Sequence, residues 1–245
     1  MGWHLAINTL QQKILQYFPF LSTSGNYEDF SDEPSRVEIF SAEKLESHAA
    51  HLAATQKIGS APRRMSISAI ARDDGRALAA AHAAIERAAG ERRAITSAGE
   101  WLLDNLHVVE ENVSGVVENM SRRVYKSLPK LKNGEYAGMP RIYGLCWEFA
   151  AHTDNHFDTD LFLRFVRAYQ SVQALTMAEL WALPVVMRAV LLVHLRRVAM
   201  RVVRAQAARQ AADDFANDLI AIAQKTPEKE QPTIVLPAGH LRQPF

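Results

Sequence analysis

The chain has 245 residues, 48% hydrophobic and 22% charged, with a formal net charge of +1. That balance fits one large or two small globular domains, and net charge singles out no nucleic-acid, membrane or acidic-substrate partner. The single cysteine, Cys146, excludes an intramolecular disulfide and a Cys-based zinc site; set in an apolar run, it reads as a buried inert thiol.

The chain opens on MGWHLAINTLQQKILQYFPF, which lacks both a basic leader and a continuous apolar stretch, so no signal peptide is expected. Trp3, Ile7, Leu10, Ile14 and Phe18 recur at helical spacing and predict a helix docking on a core or partner. With Lys13 as its one firm cation, that helix suits a membrane surface less well. Residues 20–38, rich in Ser, Asp, Glu, Gly and Pro, read as a linker.

Ser41 is the expected N-cap of a helix over AEKLESHAAHLAATQKI, with Leu45, His48, Leu52 and Gln56 along one side and Gly59 and Pro62 as its stop. An alanine-rich helix follows from Ala71 to Ala89, ended by Gly90; alanine favours helix and lets a neighbour approach closely. Thr96 caps a third helix to about Met120, whose stripe is Leu102, Leu106, Val109, Val113, Val116 and Met120. Pro129 and Gly134 break the next stretch. Pro140 suits the first turn of a helix carrying Ile142 to Ala151.

Asp158 caps another helix, through Leu161, Phe162, Phe165, Val166 and Tyr169. Thr176 and Glu179 spell a capping box ahead of a long helix to about Gln224, with Pro184 as a kink. Its apolar run Leu180–Leu195, interrupted by Pro184 and Arg188, is shorter than the roughly 20 residues a bilayer requires. It reads as a buried core helix. The one β-like run is TIVL at 233–236.

Several groups invite a chemical reading. In HTDNHFD, His152, Asp154, His156 and Asp158 are potential metal ligands. The stronger reading is an inter-helix turn, with a histidine ending one helix and an aspartate capping the next, so no metal is expected there. Glu110 and Glu111, like Asp213 and Asp214, are sequence neighbours that do not face each other on a helix, so neither is a catalytic dyad. Glu100, Asp104 and Glu111 either line a groove beside Trp101 or, preferably, form a solvated face with Arg92 and Arg93. Arg188, Arg196, Arg197, Arg201, Arg204 and Arg209 lie along the long helix with no acid between Glu179 and Asp213. Such a face serves an acidic partner or stays solvated; no motif supports nucleic-acid binding. No Walker loop, G-x-S-x-G or H-E-x-x-H occurs, so no catalytic residue is assigned.

Four ordered strings carry a longer likeness: EIFSAEKLESHAAHLAATQKI, ITSAGEWLLDNLHVVEENV, LPKLKNGEYAGMPRIYGLCWEFAAHTD and FDTDLFLRFVRAYQSVQALTMAELWALPVVMRAVLLVHLRRVA. Over residues 38–215 they resemble the N-terminal region of bacterial cyclic β-1,2-glucan synthases, which precedes a membrane-embedded glycosyltransferase. The resemblance implies a part in making periplasmic cyclic glucan from UDP-glucose at the bacterial inner membrane. Family motifs for the transferase and its divalent metal fall outside this sequence, so UDP-glucose and metal are expected to bind elsewhere. Ser97 and Gly99 stand where the family favours proline or alanine, which predicts a weaker helix start; His156 departs from the family as well.

The expectation is therefore an all-α fold of packed antiparallel helices with one long C-terminal helix and mobile termini. It divides into an amphipathic segment and linker over 1–37, a helical domain over 38–225 and a frayed tail over 226–245. The expected role is a non-catalytic accessory segment whose partners are the remaining domains of the synthase. The segment itself would be soluble, on the cytoplasmic side, and joined to the membrane through regions outside it. A free-standing interaction module with an arginine face and a small helical glycoside hydrolase are the alternatives. Trp101, Tyr143, Trp147 and Trp181 read as core anchors rather than sugar-stacking rings, because apolar neighbours flank them.

Overall fold

Short polar residues set the helix starts in the computed structural model, which describes residues 38–60 and 64–225. The expected amphipathic stripe from Trp3 to Phe18, the linker up to residue 37, Pro62, the run at 233–236 and the mobile ends lie outside the described residues. Among the described residues the fold is all-α, as expected, with two isolated β-bridges and no strand.

Helix α1 spans Ala42–Thr55, and the Ser41 side chain accepts from the Lys44 N–H at 3.3 Å. It buries Leu45, Ala49 and Ala53. It ends before Gly59 because the chain beyond it is claimed by tertiary pairing. Lys57 N–H donates to the Asn133 side chain, Gly59 N–H to the Lys130 carbonyl, and Lys132 N–H back to the Lys57 carbonyl.

Helix α2 spans Ile67–Gly90 and starts earlier than Ala71, because Ser66 caps it by accepting from Ala69 N–H. Helix α3 spans Ser97–Asn119, capped by Thr96 as expected, with a departure from helical backbone at Asn105. The two pack along each other. Leu102, Val109, Val116 and Met120 are buried, while Leu106 and Val113 are half-buried. Gly99 is no weakness in this start. A Cβ there would stand 2.8 Å from Ile95 Cγ2 and 3.3 Å from Ile85 Cγ2, so the missing side chain is what lets the first turn of α3 seat.

A short helix the periodicities did not announce, α4 (Arg122–Ser127), follows with Ser121 as its cap. Pro140 stands at the N-cap of α5 (Arg141–His152), one position before the expected first turn. Helix α5 is buried almost all round, the signature of a central helix. Asp158 accepts from Leu161 N–H at 2.7 Å and starts α6 (Thr159–Gln170), which packs along α1. Phe149 of α5 meets Phe162 and Phe165 of α6 at centroid distances of 4.9 and 5.5 Å, and these rings anchor the core.

Helix α7 runs through Met177–Lys225 with Pro184 inside it. Both arms of its capping box form: Glu179 N–H donates to Thr176 Oγ1 at 3.3 Å, and Thr176 N–H to Glu179 Oε2 at 2.9 Å. Because the helix continues past Leu195, its Met177–Asn217 stretch is long and apolar enough to cross a membrane, with a mean hydropathy of 1.6 over its best window. The expectation that it was too short is corrected on that point. Its length and composition equally suit a core helix, and 44% of that window is buried within the protein. Among the described residues, contacts group those up to Val203 into one compact unit, and the part of α7 from Arg204 on falls in a second.

The four aromatics divide. Tyr143 and Trp147 are core residues at 3% and 6% exposure. Trp101 and Trp181 are 44% and 79% exposed, which overturns the core reading for both. Successive helical residues turn by about 100°, so burying Leu102 and Leu183 leaves Trp101 and Trp181 facing outward.

Candidate functional site

Three proton- and metal-competent side chains converge where α1 crosses the end of α5. His48 comes from the middle of α1; Glu148 and His152 stand one turn apart on α5 and share a face. His48 Nε2 lies 2.9 Å from Glu148 Oε2, and His152 Nε2 lies 3.5 Å from the same oxygen. All three donor atoms fall within 4.8 Å of one another.

The surroundings hold these groups in place. His152 Nδ1 donates to the Glu38 carbonyl at 2.8 Å, while Phe40 N–H donates to the His152 carbonyl at 3.0 Å. The Phe40 ring stacks on His152 at 3.7 Å and presents its edge to His48. Burial, aided by the Glu148 carboxylate, pushes the Tyr136 phenol well above its ordinary range. Gly144 makes room for Tyr136, since a Cβ there would come within 3.0 Å of the Tyr136 ring.

A second feature is a cationic cleft of about 960 Å³ between the start of α2 and α4. Arg64, Arg72, Arg122, Lys126 and Lys130 line it, with no acid among its lining residues. Lys130 Nζ sits 3.2 Å from the Tyr125 ring centroid, and burial lowers its pKa to about 8.

Four further ionisable groups are withdrawn from solvent, three of them buried and His194 half-buried. Arg141 and Glu179 form a forked pair. Asp74, 1% exposed in the alanine-rich face of α2, accepts from Arg196 at 2.9 Å, and its second oxygen has no protein partner. Burial raises its pKa to about 6, against the pull of Arg196. His194 lies against the Trp147 ring at 4.7 Å; burial, then Arg197, lowers its pKa to about 4.

Of the HTDNHFD residues, only His152 joins the donor cluster among the described residues. Asp154, His156 and Asp158 are exposed. Asp154 and Asn155 take left-handed backbone at φ 50° and 60°, which closes the inter-helix turn, and Asp158 caps α6 as expected. Glu100, Asp104, Glu110 and Glu111 are exposed, as are Asp213 and Asp214. Arg93 pairs with Glu91 rather than with those acids.

The arginine face is only partly solvent-facing. Arg188, Arg201 and Arg209 are exposed, but Arg196 pairs with Asp74 and Asp73, and Arg197 lies 4.8 Å over the Trp147 ring. The acids missing from α7 itself are supplied by α2. The convergence of His48 with Glu148 and His152 was hidden by a separation of 100 residues. Its local signals were His48 on the apolar side of α1 and a Glu–His pair one turn apart on α5.

No family model matches the chain. The chain is 41% identical over 126 residues to the cyclic beta-(1,2)-glucan synthase NdvB of Rhizobium meliloti (strain 1021). The match takes in 51% of this chain and 4% of that protein. The resemblance to cyclic β-1,2-glucan synthases is thereby borne out, over a small part of a much longer relative.

Proposed function

We propose that this chain is an N-terminal accessory segment of a cyclic β-1,2-glucan synthase, contributing helical structure rather than the transfer chemistry. The 41% identity over 126 residues to such a synthase carries the reading. The disposition of the acids supports the division of labour. Glu100, Asp104 and Glu111 are exposed on α3, and none of them lines the cleft between α2 and α4. That counts against the small-hydrolase alternative.

In this reading UDP-glucose and its divalent metal bind in the remainder of the longer protein. The segment's partners are those remaining domains, and membrane attachment on the cytoplasmic side comes through them. The engagement of Arg196 and Arg197 within the fold argues against a free-standing module that presents the whole arginine face.

The test is an assay of the purified 245-residue chain with UDP-glucose and a divalent metal. No glucan is the expected outcome, with synthesis restored when the chain is joined to the transferase. Glucan made by this chain alone would refute the assignment.

A further inference from the structure

We propose that His48, Glu148 and His152 form a binding site for one divalent transition-metal ion of the zinc class, tying α1 to α5 and to the segment Glu38–Phe40. This goes beyond the synthase assignment and stands on geometry independent of it.

The donor set comes first. Two imidazoles and one carboxylate suit zinc and its neighbours, whereas calcium and magnesium favour oxygen ligands throughout. Metal–nitrogen and metal–oxygen bonds of about 2.0–2.2 Å place neighbouring ligand atoms of a tetrahedral site about 3.3–3.6 Å apart. The two Nε2–Oε2 separations, 2.9 and 3.5 Å, fall close to such an edge. Rotation of the His48 and His152 side chains closes the third side, which is already within 4.8 Å.

The supporting contacts argue further. A carbonyl can only accept, so the His152 Nδ1 bond to Glu38 fixes the proton on Nδ1. In the neutral ring Nε2 then carries the lone pair, and it faces Glu148. A ligating histidine commonly donates its other ring N–H to a carbonyl, a carboxylate or water. On binding, the proton that His48 Nε2 donates to Glu148 moves to Nδ1 of the same ring, so the neutral imidazole offers a second nitrogen lone pair. Side-chain exposures of 22%, 21% and 12% leave a path for the ion and room for water as a fourth ligand.

The experiment strips the full chain with chelator and titrates it with Zn²⁺, reading stoichiometry by calorimetry and elemental analysis. Co²⁺ absorption reports the coordination geometry. One ion per chain is expected, with the tetrahedral Co²⁺ signature. The site should be lost in His48→Ala, His152→Ala and Glu148→Gln. His51→Ala and His156→Ala, at exposed positions, should bind as the parent does.

Should His48→Ala or His152→Ala fail to fold, Glu148→Gln decides the matter by itself. Absence of stoichiometric binding would overturn the proposal. So would binding that survives Glu148→Gln, or that is removed by His156→Ala.

Discussion

Arg141 forks its guanidinium onto both oxygens of Glu179, Nε to Oε1 at 2.6 Å and Nη2 to Oε2 at 2.8 Å, with the two side chains 3% and 0% exposed. The same carboxylate accepts from Thr176 N–H in the capping box, and Arg141 Nη2 also donates to the Ala174 carbonyl. One ion pair thus joins the first turn of α5 to the first turn of α7. Removing one partner strands a buried charge. Glu179→Ala should cost about 3–5 kcal/mol in urea unfolding, while Thr176→Ala, which loses the hydroxyl cap, should cost about 1 kcal/mol. Equal losses would show that the pair contributes no more than the cap.

Asp74 and His194 make opposing contributions to pH dependence. The folded pKa of Asp74, about 6 against an ordinary 3.8, means the folded state holds that proton more tightly. Stability from this group therefore falls as pH rises from about 4 to about 6, and the full penalty stands above that. His194 is depressed from 6.5 to about 4, so its contribution is full above 6.5 and lost as pH falls toward 4. Each is worth on the order of 2–3 kcal/mol, and the two slopes offset each other across the shared window. Asp74→Asn should raise the melting temperature at pH 7.5 and leave a steep loss on acidification. His194→Gln should gain stability between pH 6 and 4. Parallel melting profiles for both variants and the parent would contradict this.

Gly99 predicts a cost for adding a single methyl. Gly99→Ala improves intrinsic helix propensity, yet its Cβ meets Ile95 and Ile85 at 2.8 and 3.3 Å. Overpacking should dominate and destabilise the chain by about 1–3 kcal/mol in denaturant unfolding. A more stable Gly99→Ala would mean that Ile95 moves aside freely.

The tryptophans separate by exposure. Trp147, enclosed by Tyr136, Tyr143 and His194, should cost about 3–5 kcal/mol on truncation to alanine. Trp101→Ala and Trp181→Ala should each stay within about 0.5 kcal/mol of the parent. Thermal melts of the three variants distinguish these outcomes; a large loss at Trp101 would restore the core reading that its 44% exposure overturns.

What the sequence by itself determined is local. Ser41, Thr96, Asp158 and Thr176 announce helix starts because a cap is completed within three or four residues of chain. Apolar residues at helical spacing announce the helices between them, and ordered strings announce the likeness to a glucan synthase. Tertiary structure decided the rest. It chose which side of each helix is covered, and so separated Trp147 from Trp101. It stopped α1 at Thr55 by pairing the following chain with residues 130–133. It gave Arg196 of α7 its acid from α2, and Glu148 its histidine from α1. The physical reason is range: a cap or a helical stripe is settled within a few turns, whereas an ion pair or donor cluster depends on where distant helices come to rest.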